Sequence, residues 1–288
     1  MSNRFVLSTD ALLLLVLTMA HLWFNPVGSA FVVTLLAVYV ILGIVAPKMP
    51  DEMDAPRARD RVLFTVRLFI VICVIFIAAI LPTAWNILQR RIEGPATHAH
   101  DGLIQTEAAI RFLVDGKNPY TENYLDTPMA QFKGGEPPFT DAPLYHNAYL
   151  PFLFIGSLPF YLASQAALGW YDQRFVYILL YIATLLLLPQ LAVRQRGKLS
   201  LLCTFGLNFL FAFFLADGRN DIVVLFGLIL TTVLLARRWT FASAIVLGLT
   251  VAVKHSAWFF LPFYFFYMLP ERVTRAAIRD AVVRMIPI

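Results

Sequence analysis

Nine apolar runs, at about residues 11–24, 30–46, 62–88, 149–168, 174–193, 199–216, 221–236, 241–253 and 257–269, constrain this chain more than any other feature. Several approach the roughly 20 residues that a helix needs to cross a hydrocarbon layer of about 30 Å. Lipid offers no partner to a backbone amide, so runs of this kind satisfy themselves as helices. The composition agrees: 59% of residues are hydrophobic, only 14% are charged, and the mean hydropathy is +0.71. A water-soluble globular protein is excluded on those figures. The expected fold class is all-α, a polytopic transmembrane helical bundle with one long extracytoplasmic loop that carries a short helix.

Cys73 and Cys203 both lie inside apolar runs, where a thiol behaves as a small hydrophobe, so no disulfide framework is expected. The formal charge of +5 reads as topology information rather than as affinity for nucleic acid, and no nucleic-acid partner is expected. Residues 11–24 resemble a signal peptide, but no small-residue cleavage pattern follows and a second apolar run starts at Ala30. They are read as the first span.

Orientation follows from the Lys and Arg bias. With the N-terminus inside and 149–168 making no net crossing, 15 of the 23 basic residues are cytoplasmic, among them Arg4, Lys48, Arg57, Arg196, Arg238, Arg272 and Arg284. If 149–168 crosses fully, 9 of the 23 remain inside. The first arrangement is preferred, and Pro151, Gly156 and Pro159 give a reason for a broken or re-entrant segment there. It places loop 89–148, the turn Asp217–Asp221 and the pair Lys254–His255 in one extracytoplasmic compartment. The expected division is residues 1–61 as two N-terminal spans with a cytoplasmic loop, followed by a module over 62–288. Within the loop, a short helix is expected over Gly102–Val114 with Asp101 as its cap and Gly116 and Pro119 as its stop, and PMAQFKGGEPPFTDAP is expected to be turn-rich and mobile.

Three polar clusters can carry chemistry. In THAHDG, Asp101 can serve as general base or metal ligand with His98 and His100 positioning it, or simply as a helix cap beside solvated imidazoles. In ADGRND, Asp217, Arg219, Asn220 and Asp221 can hold a cation together with a phosphate or a sugar; equally, Gly218 relieves an interfacial turn and one of the acids caps the next helix. In VAVKHSAWFF, Lys254 and His255 interrupt an apolar stretch whose flanking runs, 13 residues each, span only about 20 Å. An ammonium there faces a wet cavity or an anion such as a lipid phosphate, or snorkels to the interface. A divalent cation is left open. Walker, nucleophile-elbow, HExxH, CxxC and dinucleotide-glycine patterns are absent.

The order HDGLIQTEAAIRFLVDGKNPYTENY, AYLPFLFIGSLPF, DGRNDIVVLFGLIL followed by ARR, and GLTVAVKHSAWFFLPF resembles the GT-C superfamily of integral-membrane glycosyltransferases. Within it, the bacterial family 87 group of polyprenyl-phosphate-mannose-dependent mannosyltransferases is most similar, over about residues 62–270. The resemblance implies transfer of a hexose or pentose from a polyprenyl-phosphate-sugar donor to a hydroxyl of a glycan or glycolipid acceptor at the extracytoplasmic face of a bacterial-type cell membrane. It implies Asp101 as the catalytic base, Lys254, His255 and Arg219 near the donor phosphate, and His98, His100, Asp217, Asn220 and Asp221 lining the site. The chain departs from the family in two extra N-terminal runs and in a tail, DAVVRMIPI, that reads as the start of another run; a truncated or inactive member is thus also expected as a reading. A different class, a non-catalytic carrier or binding protein for a polyprenyl-linked or other amphipathic anion, explains Lys254 and His255 without a base.

Overall fold

The computed structural model describes residues 8–24, 29–45, 58–133, 141–269 and 274–288. The sequence expectations for Arg4, Lys48, Arg57 and Arg272, and for the centre of the turn-rich stretch at 134–140, lie outside the described residues. The described residues are all-helical, without a strand. In chain order the helices are α1 (Thr9–Phe24), α2 (Ser29–Val45), α3 (Ala58–Ile75), α4 (Leu81–Glu93), α5 (Asp101–Val114), α6 (Pro128–Lys133), α7 (Phe152–Leu168), α8 (Arg174–Leu187), α9 (Gln195–Gly206), α10 (Phe209–Asp217), α11 (Asp221–Ala236), α12 (Thr240–Val251), α13 (Leu261–Met268) and α14 (Arg275–Met285). Among the described residues two helical stretches are long and apolar enough to cross a membrane, Ala58–Glu93 and Arg174–Leu191. The pair α9 and α10, bent by 47°, makes a third if it forms one span. Apolar helices of membrane length associate the chain with a lipid bilayer.

The longest stretch contains a one-turn π segment, Phe76–Ile80, in which the Leu81 amide reaches back five residues to the Phe76 carbonyl. Pro82 follows at once and has no amide to give, and the wider turn absorbs that missing bond. Thr83 donates its hydroxyl to the Ala79 carbonyl at 2.7 Å, one turn back along the same helix.

Contacts divide the chain into two compact units, residues 1–85 with 185–216 and residues 86–184 with 217–288. In the first, α1 packs on α2 and α9, and α3 packs on α2 and α9. Polar side chains cross-link these apolar helices: Tyr39 donates to Asp10 at 2.5 Å, Arg67 donates to the Leu42 carbonyl at 3.1 Å, and the ring of His21 to the Leu207 carbonyl at 3.0 Å. In a medium without water such bonds specify which faces meet.

The second unit holds the long loop, which is a folded element as its composition suggests. Leu103, Ile104 and Ala108 of α5 close over Tyr124, Met129 and Leu144 as a small apolar core. Gln105 pins the returning chain by donating to the carbonyls of Pro143 and His146 and accepting from the Ala148 amide. Residues Gly102–Ile110 are therefore buried on every face of α5. Two local expectations need correction. Pro128–Lys133, expected as turn, is helix α6. The segment 149–168, expected to be broken or re-entrant on account of Pro151, Gly156 and Pro159, contains one continuous 17-residue helix, α7: Pro151 falls at its N-cap, where an amide is not needed, and Gly156 and Pro159 do not interrupt it. Beyond it, α11 packs against α12, and the chain breaks at Ala252–Lys254 before a 3-10 turn, His255–Phe260, leads into α13.

Candidate functional site

Within the second unit, four stretches that are remote in sequence bring their polar residues together. The start of α5 supplies His100 and Asp101. The helix cap differs from the expected one: His100 is the N-cap, its Nδ1 accepting from the Gly102 amide at 3.0 Å, and Asp101 is the first helical residue. The Asp101 carboxylate lies 2.7 Å from the same Nδ1. A nitrogen lone pair cannot face both an amide hydrogen and a carboxylate oxygen, so a proton shared between His100 and Asp101 competes with the cap.

The turn between α10 and α11 supplies the second stretch. The His100 amide donates to the Asp217 carbonyl at 2.7 Å, which ties this turn to the start of α5. Gly218 is required there twice over: its φ is +84°, and a Cβ would overlap Leu103. Arg219 donates to its neighbour Asp217 at 2.8 Å. Asn220, not an aspartate, occupies the N-cap of α11, without a side-chain cap bond. It is 3% exposed, and its amide nitrogen has no hydrogen-bond partner among the described residues. Asp221, freed from capping, takes both its bonds from the third stretch: Lys254, at the break after α12, donates to its two oxygens at 2.9 Å each. Lys254, expected to face a wet cavity or an anion or else to snorkel, has the Asp221 carboxylate as its anion and is about two-thirds covered.

Tyr149, just before α7, is the fourth contributor, and the sequence reading passed over it. A Cβ on Gly102 would overlap its hydroxyl, so the phenol lies directly on the first turn of α5. Burial, and then the negative charges of Asp101 and Asp221, push its pKa up to about 12, with Arg219 and the neighbouring Asn220 side chain acting in the opposite sense. The phenol therefore stays protonated and is a hydrogen-bond donor at neutral pH. Its backbone is fixed as well, since Tyr120 donates to the Tyr149 carbonyl at 2.7 Å and Asn147 accepts the Tyr149 amide at 2.9 Å. The signal available in the sequence was weak: a tyrosine preceding a Leu-Pro pair at the mouth of an apolar run.

The remaining expected residues lie apart from these contacts. His98 pairs with Glu93 at 2.7 Å and adopts a left-handed backbone, φ +47°. His255 is exposed and packs on Trp258, with ring centres 4.8 Å apart. Among the described residues no group of three His, Cys, Asp or Glu side chains is arranged to hold a metal ion.

Behind the cluster lies a network that sequence reading did not single out at all. Arg90 binds Glu107 through two bonds of 2.8 and 2.9 Å and Asp172 through one of 2.9 Å. Arg174 grips Asp172 with two more and donates to the His98 carbonyl at 2.7 Å. Glu107 also accepts the Gln173 amide, and Arg90 donates to the Pro95 carbonyl. Two cations and two anions thus cancel while holding residues 95–98, the approach to Asp101, at two carbonyls. Burial resists ionisation of Asp172, but the bonds and charge of Arg174, and then Arg90, outweigh it and hold the carboxyl below the usual range.

No protein-family profile, no curated protein and no solved structure matches this chain.

Proposed function

We propose that the chain is a multi-pass membrane glycosyltransferase of GT-C-like architecture, moving a hexose or pentose from a polyprenyl-phosphate-sugar donor to a hydroxyl of a glycan or glycolipid acceptor on the extracytoplasmic side of a bacterial-type cell membrane. The observation that carries this reading is the meeting of His100–Asp101, Asp217–Asp221, Lys254 and Tyr149 beside apolar helices. Such a transfer needs a base for the acceptor, cationic or donor groups for the leaving phosphate, and a greasy surface for the lipid, and the second unit has each.

In this reaction the acceptor oxygen attacks the anomeric carbon as its proton passes to Asp101, and His100 orients the carboxylate and shares the proton. The bond between the anomeric carbon and the phosphate oxygen breaks with its electron pair on the oxygen, and polyprenyl phosphate leaves. Arg219 and Lys254 stabilise that charge, with the phosphate competing against Asp217 and Asp221 for them. The amide of Asn220 and the protonated Tyr149 supply donors to the bound substrate or to its surroundings.

Asp101→Asn keeps the size of the side chain and removes the base. Purified full chain incubated with labelled polyprenyl-phosphate sugar and an acceptor should lose roughly 10²- to 10⁴-fold in the rate of lipid-phosphate release. Unchanged release in a folded variant removes Asp101 from the mechanism. The carrier reading is kept alive by one observation, an apolar cavity of about 260 Å³ among Phe152, Leu153, Phe226, Leu249 and Val253, which suits an amphipathic ligand with or without chemistry. Tight retention of the labelled donor by the wild-type chain with no release of lipid phosphate decides for the carrier.

A further inference from the structure

The opposite end of α11 from Asp221, 16 residues and about 24 Å away along the helix, carries a second polar and apolar juxtaposition to which the proposed transfer gives no role. There a cavity of about 550 Å³ opens among the end of α11, the start of α12, the end of α13 and one side of α14. One side is apolar, with Leu235, Met268 and Leu269; Tyr267 is amphipathic; the other side holds Arg238, Asp280 and Arg284. Asp280 is already engaged by Arg284 at 2.8 Å, and among the described residues no acidic side chain pairs with Arg238 on the wall.

Arg238 is also held in a costly conformation. α11 ends with the Arg238 amide on the Leu235 carbonyl and the Trp239 amide on the Leu234 carbonyl, and this closure puts Arg238 in the left-handed region, φ +63°. Glycine or asparagine is the ordinary occupant of that position, because a Cβ is penalised there. Among the described residues only His98, at the candidate site, shares this strain without being glycine. Backbone strain of this kind clusters at ligand clamps and active sites.

The surroundings have the make-up of a membrane–water boundary. Arg237 stacks over Trp239 at 6.0 Å, and Trp239 and Phe241 are exposed beside the cavity. α14 buries Ala281 against the body and leaves Ile278, Val282 and Ile286 exposed on the stripe that also carries Arg275 and Arg279. A helix with apolar and basic residues on one exposed stripe, next to exposed tryptophan, fits the boundary between anionic headgroups and acyl chains. We infer that this cavity is a binding site for an anionic phospholipid, with its phosphate on Arg238 and the start of its chain against Leu235, Met268 and Leu269. The phosphate is the shared chemistry; the apolar wall assigns it to a lipid rather than to the free ion. The inference is independent of the proposed transfer and stands or falls without it.

Native mass spectrometry of the full chain in detergent, with phosphatidylglycerol and phosphatidylethanolamine offered together, tests it. The wild type should retain phosphatidylglycerol preferentially. Arg238→Gly should lose about fivefold of that preference, the loss of one near-surface cation, while its Tm holds or rises because glycine relieves the left-handed strain. Arg91→Gln, a cation stacked on Trp170 elsewhere in the unit, should keep the preference. The inference is overturned by equal retention of the two lipids in the wild type, by an undiminished preference in Arg238→Gly, or by displacement of phosphatidylglycerol by inorganic phosphate at equal concentration.

Discussion

The second unit contains two sets of acid and base pairs with similar bond lengths and opposite surroundings. In the network of Arg90, Glu107, Asp172 and Arg174 every charged side chain is at most 6% exposed. In the cluster of His100–Asp101, Asp217–Arg219 and Asp221–Lys254 each is between 25% and 35% exposed. Burial turns the first set into a clamp: partners are fixed, each removal strands a charge, and little can be exchanged. Partial exposure gives the second set the opposite character, since water or a ligand can replace a partner at modest cost. Charge pairs of equal geometry can therefore be scaffold or chemistry, and solvent decides which.

Breaking the clamp should have the largest effect on folding. Arg174→Met leaves Asp172 buried with one guanidinium instead of two and should cost about 3–5 kcal/mol, the usual penalty for a broken buried pair; thermal unfolding in detergent measures it. Gly102→Ala sits at the seam between the two sets, forcing Tyr149 off the first turn of α5, and should cost about 1–3 kcal/mol by overpacking. Because the strain is local, a calorimetric loss well outside that range would place Tyr149 elsewhere. The Asp172 side of the clamp should also respond to acid, while Glu107, whose pKa burial raises, works in the opposite sense. Asp172 has a depressed folded pKa, so its stabilisation is complete above the ordinary aspartate value of about 3.9 and disappears as the pH falls through its lower folded value. Asp172→Asn should flatten the acid limb of a Tm-against-pH curve. The smallest stability effect belongs to the open set: Lys254→Gln should change stability by no more than about 1 kcal/mol, as a partly exposed pair is screened by solvent. A loss comparable to that of Arg174→Met would erase the distinction.

The polar clusters were legible in the sequence because charges interrupt apolar runs there, and apolar periodicity needs no partner to be recognised. So were the helix over 102–114, which the structure begins one residue earlier, and its stop at Gly116, where φ is +71°. Other features were not. Which of His100, Asp101, Asn220 and Asp221 caps a helix depends on competing bonds from residues far along the chain, and in both turns the expected cap proved to be engaged elsewhere. Arg90, Glu107, Asp172 and Arg174 looked like ordinary loop charges, because nothing local distinguishes an arginine in water from one that three segments enclose. Tyr149 and the strained Arg238 were hidden for the same reason.

What the amino-acid order determined alone was the class of solvent this chain can occupy, the helical state of its apolar runs and the places where polar residues must interrupt them, all of which follow from short-range hydrogen bonding and hydrophobicity. Only the tertiary structure decided which carboxylate met which cation, and how deeply. Burial and pairing are properties of space between segments, and they set the energy of a charge far more than its neighbours in sequence do.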